Sequence, residues 1–131
     1  GLAEQVTFTG KIPYEDAPRY LALGELAVAP KLSATEGSGK LLNYMAMALP
    51  VAGFDTPVHR EYLGDLGVYA PPGDAARLAG ALAALLDDPA DAARRGRALR
   101  QRAMVRYTWA QAVVEIEAVY ETVLAGGSAR R

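Results

Sequence analysis

The sequence predicts an α/β protein: a parallel sheet with helices on its faces, ending in two or three consecutive helices. Three observations predict it. Short, mostly apolar runs at Glu25 to Ala29, Val51 to Phe54 and Val68 to Ala70 read as strands, the first two apolar enough to be covered on both faces. Segments with helical spacing lie between and after these runs. A small-residue loop, Glu36-Gly37-Ser38-Gly39, leads straight into one of the helices. Strands that alternate with helices imply parallel neighbours joined by right-handed crossovers.

In chain order, Gln5 to Thr9 alternates Val6 and Phe8 with polar neighbours and reads as a strand stopped by Gly10. Lys11-Ile12-Pro13 is loop. Asp16 is placed to cap a short helix, Ala17 to Leu23, with Pro18 in the first turn, where a missing N–H costs little. Gly24 ends that helix and the strand Glu25 to Ala29 follows. The loop Pro30 to Ser38 feeds a helix over Lys40 to Met47, and Pro50 opens the next strand. A helix over His59 to Leu63 precedes the strand at Val68. Asp74 caps an amphipathic helix with Leu78, Leu82, Leu85 and Leu86 on one face, broken at Asp87-Asp88-Pro89. Asp91 to Tyr107 is a basic helix carrying Arg94, Arg95, Arg97, Arg100, Arg102 and Arg106. Thr108 with Gln111 forms a capping box for a last helix, whose apolar face is Trp109, Val113, Ile116, Val119, Tyr120 and Leu124.

Bulk properties narrow the function classes. At 51% apolar, the 131-residue chain can bury a core and is not a disordered segment. A net charge of -1 gives no general attraction to nucleic acid or to anionic membrane. The absence of cysteine removes disulfides and thiolate metal sites and agrees with a cytoplasmic protein. No apolar run approaches the roughly 20 residues that span a bilayer. The start at Gly1-Leu2-Ala3 reads as a cut inside a longer chain.

The glycine loop is the chemical centre of the sequence. Glycines let a backbone approach a ligand closely, and the free N–H groups of a first helical turn face an anion. The plain alternative is a tight loop capping a core helix, with the Ser38 hydroxyl as the cap and Lys40 as a surface lysine. Gly39-Lys40 is not a P-loop, which needs glycine where Ala34 stands and Ser or Thr where Leu41 stands. His59, the only histidine, has Arg60 and Glu61 beside it and reads as a helix-surface residue. With one histidine and no cysteine, no His-based metal site is expected.

The wider stretch resembles a known family. Ala27-Val28-Ala29-Pro30, Glu36-Gly37-Ser38-Gly39, Lys40-Leu41-Leu42-Asn43-Tyr44-Met45-Ala46 and Leu49-Pro50-Val51-Ala52 follow one another as in the donor-nucleotide motif of GT-B glycosyltransferases. The likeness is to the family 4-like group of retaining enzymes, also called group 1. It implies a Rossmann-like domain, of which residues 1–131 are a C-terminal, nucleotide-sugar-binding part. The domain would begin about fifty residues earlier, against a usual size of ~100–200 residues. The first strands and the whole N-terminal acceptor domain would lie outside this chain.

By the resemblance, Glu36 is the catalytic acid that contacts the donor sugar or organises the reacting centre. Gly37, Ser38, Gly39, Lys40, Leu41 and Asn43 bind the donor nucleotide, with no cofactor and no metal. Lys40 would add a point charge to the phosphates. Asn43 departs from the pattern, since the family has a second glutamate there that accepts from both ribose hydroxyls; an amide offers one acceptor and a donor. Six residues lie between Glu36 and Asn43, one fewer than usual.

The expected function is therefore the donor-binding portion of a retaining glycosyltransferase. It would transfer a sugar from a nucleoside-diphosphate sugar to a glycan, lipid or small-molecule acceptor held by the N-terminal domain, and this part alone would be inactive. The competing reading is a non-catalytic nucleotide-binding or scaffold module with a degenerate site, which Asn43 keeps open. A flavodoxin-like receiver would need an acidic cluster at the strand ends, and only Glu36 and Asp55 are candidates. No nucleic-acid partner is expected. The arginine-rich helix is read as solvated, with anionic membrane or a lipid-linked acceptor as the other reading and a membrane-peripheral location as its consequence. An unpaired sheet edge near Val6 and Phe8 or Val28, together with the apolar stripe of the last helix, would favour a homo-oligomer.

Overall fold

The computed structural model describes residues 1–128. Its elements are α1 (Ala17–Leu21), β1 (Ala27–Ala29), α2 (Gly39–Ala46), β2 (Val51–Phe54), α3 (Pro57–Leu63), β3 (Val68–Ala70), α4 (Ala75–Asp87), α5 (Pro89–Arg106) and α6 (Trp109–Ser128). The three strands form one parallel sheet in the order β1-β2-β3, with Ala27 opposite Val51 and Ala52 opposite Val68. This is a partial Rossmann-like sheet with helices on both faces, as the alternation of elements predicts.

Alternation along β2 divides the core in two. Val51 faces the layer of α2, α3 and α5, where Leu41, Met45, Leu63, Leu99 and Ala103 pack with Leu49. Ala52 and Phe54 face the other side and meet Leu78, Ala81 and Leu85 of α4 and Ala92 of α5. All of β2 is buried, which is why its sequence shows no polar alternation. Leu82 packs at the margin of this second core, but Leu86, expected on the same face, is 55% exposed. The arc that α4 buries is narrower than its leucines.

Caps at the helix starts follow the sequence in most places. Asp74 Oδ1 accepts from Arg77 N at 2.9 Å, Asp88 Oδ1 from Asp91 N at 2.9 Å, and Thr108 Oγ1 from Gln111 N at 3.2 Å. Asp16 makes no such bond and instead pairs with Arg19 at 3.7 Å, while α1 stops at Leu21, two residues early.

The strand expected over Gln5 to Thr9 does not form. A single 3-10 turn at Ala3–Gln5 precedes chain without regular structure, with Val6 and Phe8 exposed. A strand needs a lateral partner for its backbone groups, and this segment pairs with none of β1, β2 or β3. Alternation alone therefore misled. β1 is left as a sheet edge, with Val28 at 40% exposure. The apolar stripe of α6 is likewise bare, since Val113 to Gly126 are all exposed. Among the described residues no helix is long and apolar enough to cross a membrane.

The arginines of α5 are not one solvated row. Arg95 donates to the carbonyls of Asp65 and Leu66, and Arg102 to those of Tyr62 and Glu61. These are carbonyls at and beyond the end of α3, which a helix leaves without partners. Arg94 and Arg95 also pair with Asp91, and these hydrogen bonds hold its carboxyl below the usual carboxylate range. Arg97, Arg100 and Arg106 are exposed.

One contact between backbones joins the two halves of the layer. A Cβ on Gly96 would stand 1.9 Å from Ala48 O, so α5 lies directly on the turn between α2 and β2. Ala48 holds φ at 56°, among the described non-glycine residues the one in the left-handed region. That conformation costs a side-chain-bearing residue roughly 1–2 kcal/mol, partly offset by the extra freedom of glycine in the unfolded chain. Ala48→Gly is therefore expected to stabilise the fold by about 0.5–1 kcal/mol, read as a rise of roughly 2–4 °C in melting temperature. Gly96→Ala should do the reverse, losing about 3 kcal/mol as α5 is pushed off the turn. Equal melting temperatures for Gly96→Ala and the parent would contradict this packing.

Candidate nucleotide-sugar site

The loop from Pro30 to Ser38 leaves the C-terminal end of β1 and delivers the chain to the start of α2, on the side where open parallel sheets receive ligands. α2 is fixed from below, because Leu41 and Met45 are fully buried in the core. Its first turn is therefore held, with Gly37, Gly39 and Lys40 exposed and Ser38 buried between them. Among the described residues the N–H groups of Gly37, Ser38, Gly39 and Lys40 have no hydrogen-bond partner. The neighbours on each side are occupied: Glu36 N donates to Ser33 Oγ at 3.2 Å and Leu41 N to Ser38 O at 2.9 Å. The result is a run of consecutive free donors at a helix N-terminus, an arrangement suited to an anion.

The two glycines act through space rather than torsion. Neither Gly37 nor Gly39 has positive φ. A Cβ on Gly39 would meet nothing within 4 Å, and one on Gly37 would lie 3.6 Å from the Tyr62 hydroxyl. The surface at Gly39 is open for a close approach. Gly39 and Asn43, one turn apart on the same helix face, border a cleft of about 520 Å³ whose other walls include Tyr62, Tyr107 and Trp109. The rings of Tyr62 and Tyr107 meet there, tilted at 42° with 5.3 Å between centroids. Asn43 is half-buried at this wall.

The remaining expected residues divide. Lys40 is exposed at the first turn and Glu36 is exposed on the loop, and neither lines the cleft. Glu36 Oε2 lies 3.0 Å from Lys31 Nζ, and Lys31 also donates to the carbonyls of Glu36 and Gly37. Sequence reasoning passed over Lys31; the signal was a lysine set directly after a strand-ending proline, five residues before the acid. Ser38 does not cap α2: its hydroxyl is buried without a partner. Leu41 has its side chain in the core and its N–H on Ser38, so it anchors the helix and presents no free group.

His59 departs most from expectation. It is fully buried, not on the helix surface. Thr56 caps α3 and accepts from His59 N, which turns Val58, His59 and Leu63 inward. The ring lies over Gly53, where a Cβ would come within 3.2 Å of Nδ1, and Nδ1 sits 2.6 Å from Phe54 O. Nε2 is buried without a partner. The spacing of four from His59 to the buried Leu63 and the glycine in β2 were the legible signs.

The second acid at the strand ends is also engaged. Asp55 forms a two-pronged pair with Arg60, both bonds at 2.7 Å, and that hydrogen bonding holds its carboxyl below the usual range. Arg60 lies 3.8 Å over the Tyr69 ring, and burial pushes the Tyr69 hydroxyl up to about 12. Among the described residues no group of three or more His, Cys, Asp or Glu gathers, so the acidic cluster of a receiver domain is missing.

Comparisons with known proteins bear on the family and the fold. Residues 1–88 match the family described as "Glycosyl transferases group 1". Over 98% of its length the chain is 35% identical to a phosphatidyl-myo-inositol mannosyltransferase of Mycobacterium leprae, covering 34% of that protein. It is 34% identical to an alpha-D-kanosaminyltransferase of Streptomyces kanamyceticus over 68% of this chain and 23% of that one. Among solved structures, sucrose-phosphate synthase from Thermosynechococcus elongatus superimposes with a TM-score of 0.85 at 27% identity, covering 95% of this chain and 32% of that one. The fold and these matches are those of part of the GT-B glycosyltransferase class. The chain belongs to the group 1 glycosyl transferases, and spans about a third or less of the length of these relatives.

Proposed function

We propose that this chain is the donor-binding portion of a retaining glycosyltransferase, seating a nucleoside-diphosphate sugar on the first turn of α2. The observation that carries it is the run of free N–H groups from Gly37 to Lys40, on a helix whose Gly39 and Asn43 wall one cleft. In this reading the backbone donors and the helix dipole take the diphosphate, with Lys40 adding charge at the rim. Asn43 meets the ribose through its amide, and Glu36 serves the sugar from the loop. Family membership and the names of the relatives support a glycosyl transfer role for the whole protein. The acceptor, whether glycan, lipid or small molecule, would be bound by chain beyond these residues.

A second reading, a nucleotide-binding module without catalysis, is favoured by two observations. An amide stands at Asn43 where the family has a carboxylate, and Glu36 is paired with Lys31. Titrating the protein with UDP-, GDP- and ADP-sugars by calorimetry tests for the shared binding step. Turnover by the whole protein then separates the readings.

Gly39→Val is expected to leave the melting temperature nearly unchanged, because its side chain enters open space at ordinary φ. It should weaken nucleoside-diphosphate binding by ~10-fold or more, since charge-assisted bonds to the backbone are worth roughly 1.5–3 kcal/mol each. A folded variant with unchanged affinity would remove the phosphate from this turn. Asn43→Glu should raise the preference for a nucleoside diphosphate over its 2′,3′-dideoxy analogue by about 10-fold, because a carboxylate accepts from both hydroxyls. An equal preference in the two proteins would place the ribose elsewhere.

A further inference from the structure

Lys31 emerges half-buried from the strand-ending Pro30 and turns back onto the loop. Its Nζ lies 3.0 Å from Glu36 Oε2, 3.3 Å from Glu36 O and 3.2 Å from Gly37 O. An ammonium group has three donors and no acceptor. The two carbonyls take two of these donors and the Glu36 carboxylate pairs with the charge, so the ammonium is committed to the loop.

The two carbonyls it holds are consecutive. In a planar trans peptide the C=O and the following N–H point in opposite directions. Drawing Glu36 O and Gly37 O toward Nζ therefore turns the N–H groups of Gly37 and Ser38 away from it. Those are the first two of the four free donors. Successive N–H groups turned to one side make an anion-binding concavity. The carbonyls, which would repel an anion, are drawn to the opposite side by the same contact. The ion pair holds the Glu36 carboxylate, which is otherwise exposed with a side-chain accessibility of 74%.

We propose that Lys31 is a positioning residue: it sets the direction of the Gly37 and Ser38 N–H groups and holds the Glu36 carboxylate, without touching the ligand. This rests on the donor-site reading for its consequence in binding, but not for its effect on the loop. An ion pair whose carboxylate is exposed contributes little to stability, so removing it should leave the fold in place.

The test uses Lys31→Met and Lys31→Arg beside the parent chain. In the free protein, ¹⁵N relaxation order parameters at Gly37 to Lys40 should fall in Lys31→Met from the rigid range of about 0.85 to below about 0.6. The affinity for a nucleoside diphosphate should fall about 10-fold, while that for the nucleoside without phosphates stays unchanged. Lys31→Arg keeps donors for both carbonyls and should hold the loop rigid, with affinity within about threefold of the parent. Unchanged order parameters in Lys31→Met would overturn the proposal, whatever the ligand does. So would a loosened loop that binds the diphosphate as tightly as the parent. If the loop loosens as expected but the parent itself binds no nucleoside diphosphate, Lys31 stands as the loop's positioning residue and the donor-site reading falls.

Discussion

The contact of Gly96 on Ala48 is the constraint on which the rest of the structure depends. It seats the backbone of α5 on the turn that ends α2 and begins β2. No side chain intervenes, so the distance is set by main-chain atoms and cannot relax through a rotamer. Leu99 and Ala103, further along α5, then reach the core beside Leu41 and Met45 of α2. α2 is held at its far end by the turn and along its length by the core. What remains free is its N-terminus, and that is where the unpartnered donors are.

The polar arrangement follows from this support. A helix fixed to the sheet can leave its first N–H groups unsatisfied at the surface because water or a ligand satisfies them there. The loop before it is shaped by two short-range contacts, Ser33 on Glu36 N and Lys31 on two carbonyls. Together they define where the run of free donors begins. The C-terminal end of α3 is finished in a different way, by guanidinium groups reaching across from α5. This explains part of the basic character of α5 by helix-end chemistry rather than by an external anionic partner. The same elements bring Tyr62 and Tyr107 together at the cleft wall.

Much of the fold was legible in the residues. The runs at Val51 to Phe54 and Val68 to Ala70, and the caps at Asp74 and Thr108, carry their geometry locally. Gln5 to Thr9 was misread because alternation says that a segment could pair, not that a partner is beside it. His59 was misread because charged neighbours suggest a surface, whereas the inward face of α3 is set by where the helix starts. At the candidate site, the glycine loop could be picked out from residue type, and Asn43 only through the family resemblance. Lys31 could not, since its role depends on the chain folding back within five residues so that two carbonyls meet one ammonium. The buried, unpartnered hydroxyl of Ser38 has no physical account in the contacts around it.

The central claim is that the unpartnered backbone donors at the start of α2 are the place where a diphosphate binds. Mapping amide chemical shifts in ¹⁵N-labelled protein during titration with a nucleoside diphosphate tests it most directly. The account expects the largest saturable shifts at Gly37, Ser38, Gly39 and Lys40, with the Asn43 side-chain amide moving in the same titration. Saturable shifts centred instead on Arg97 and Arg100 of α5, with the Gly37 to Lys40 amides unmoved, would contradict it.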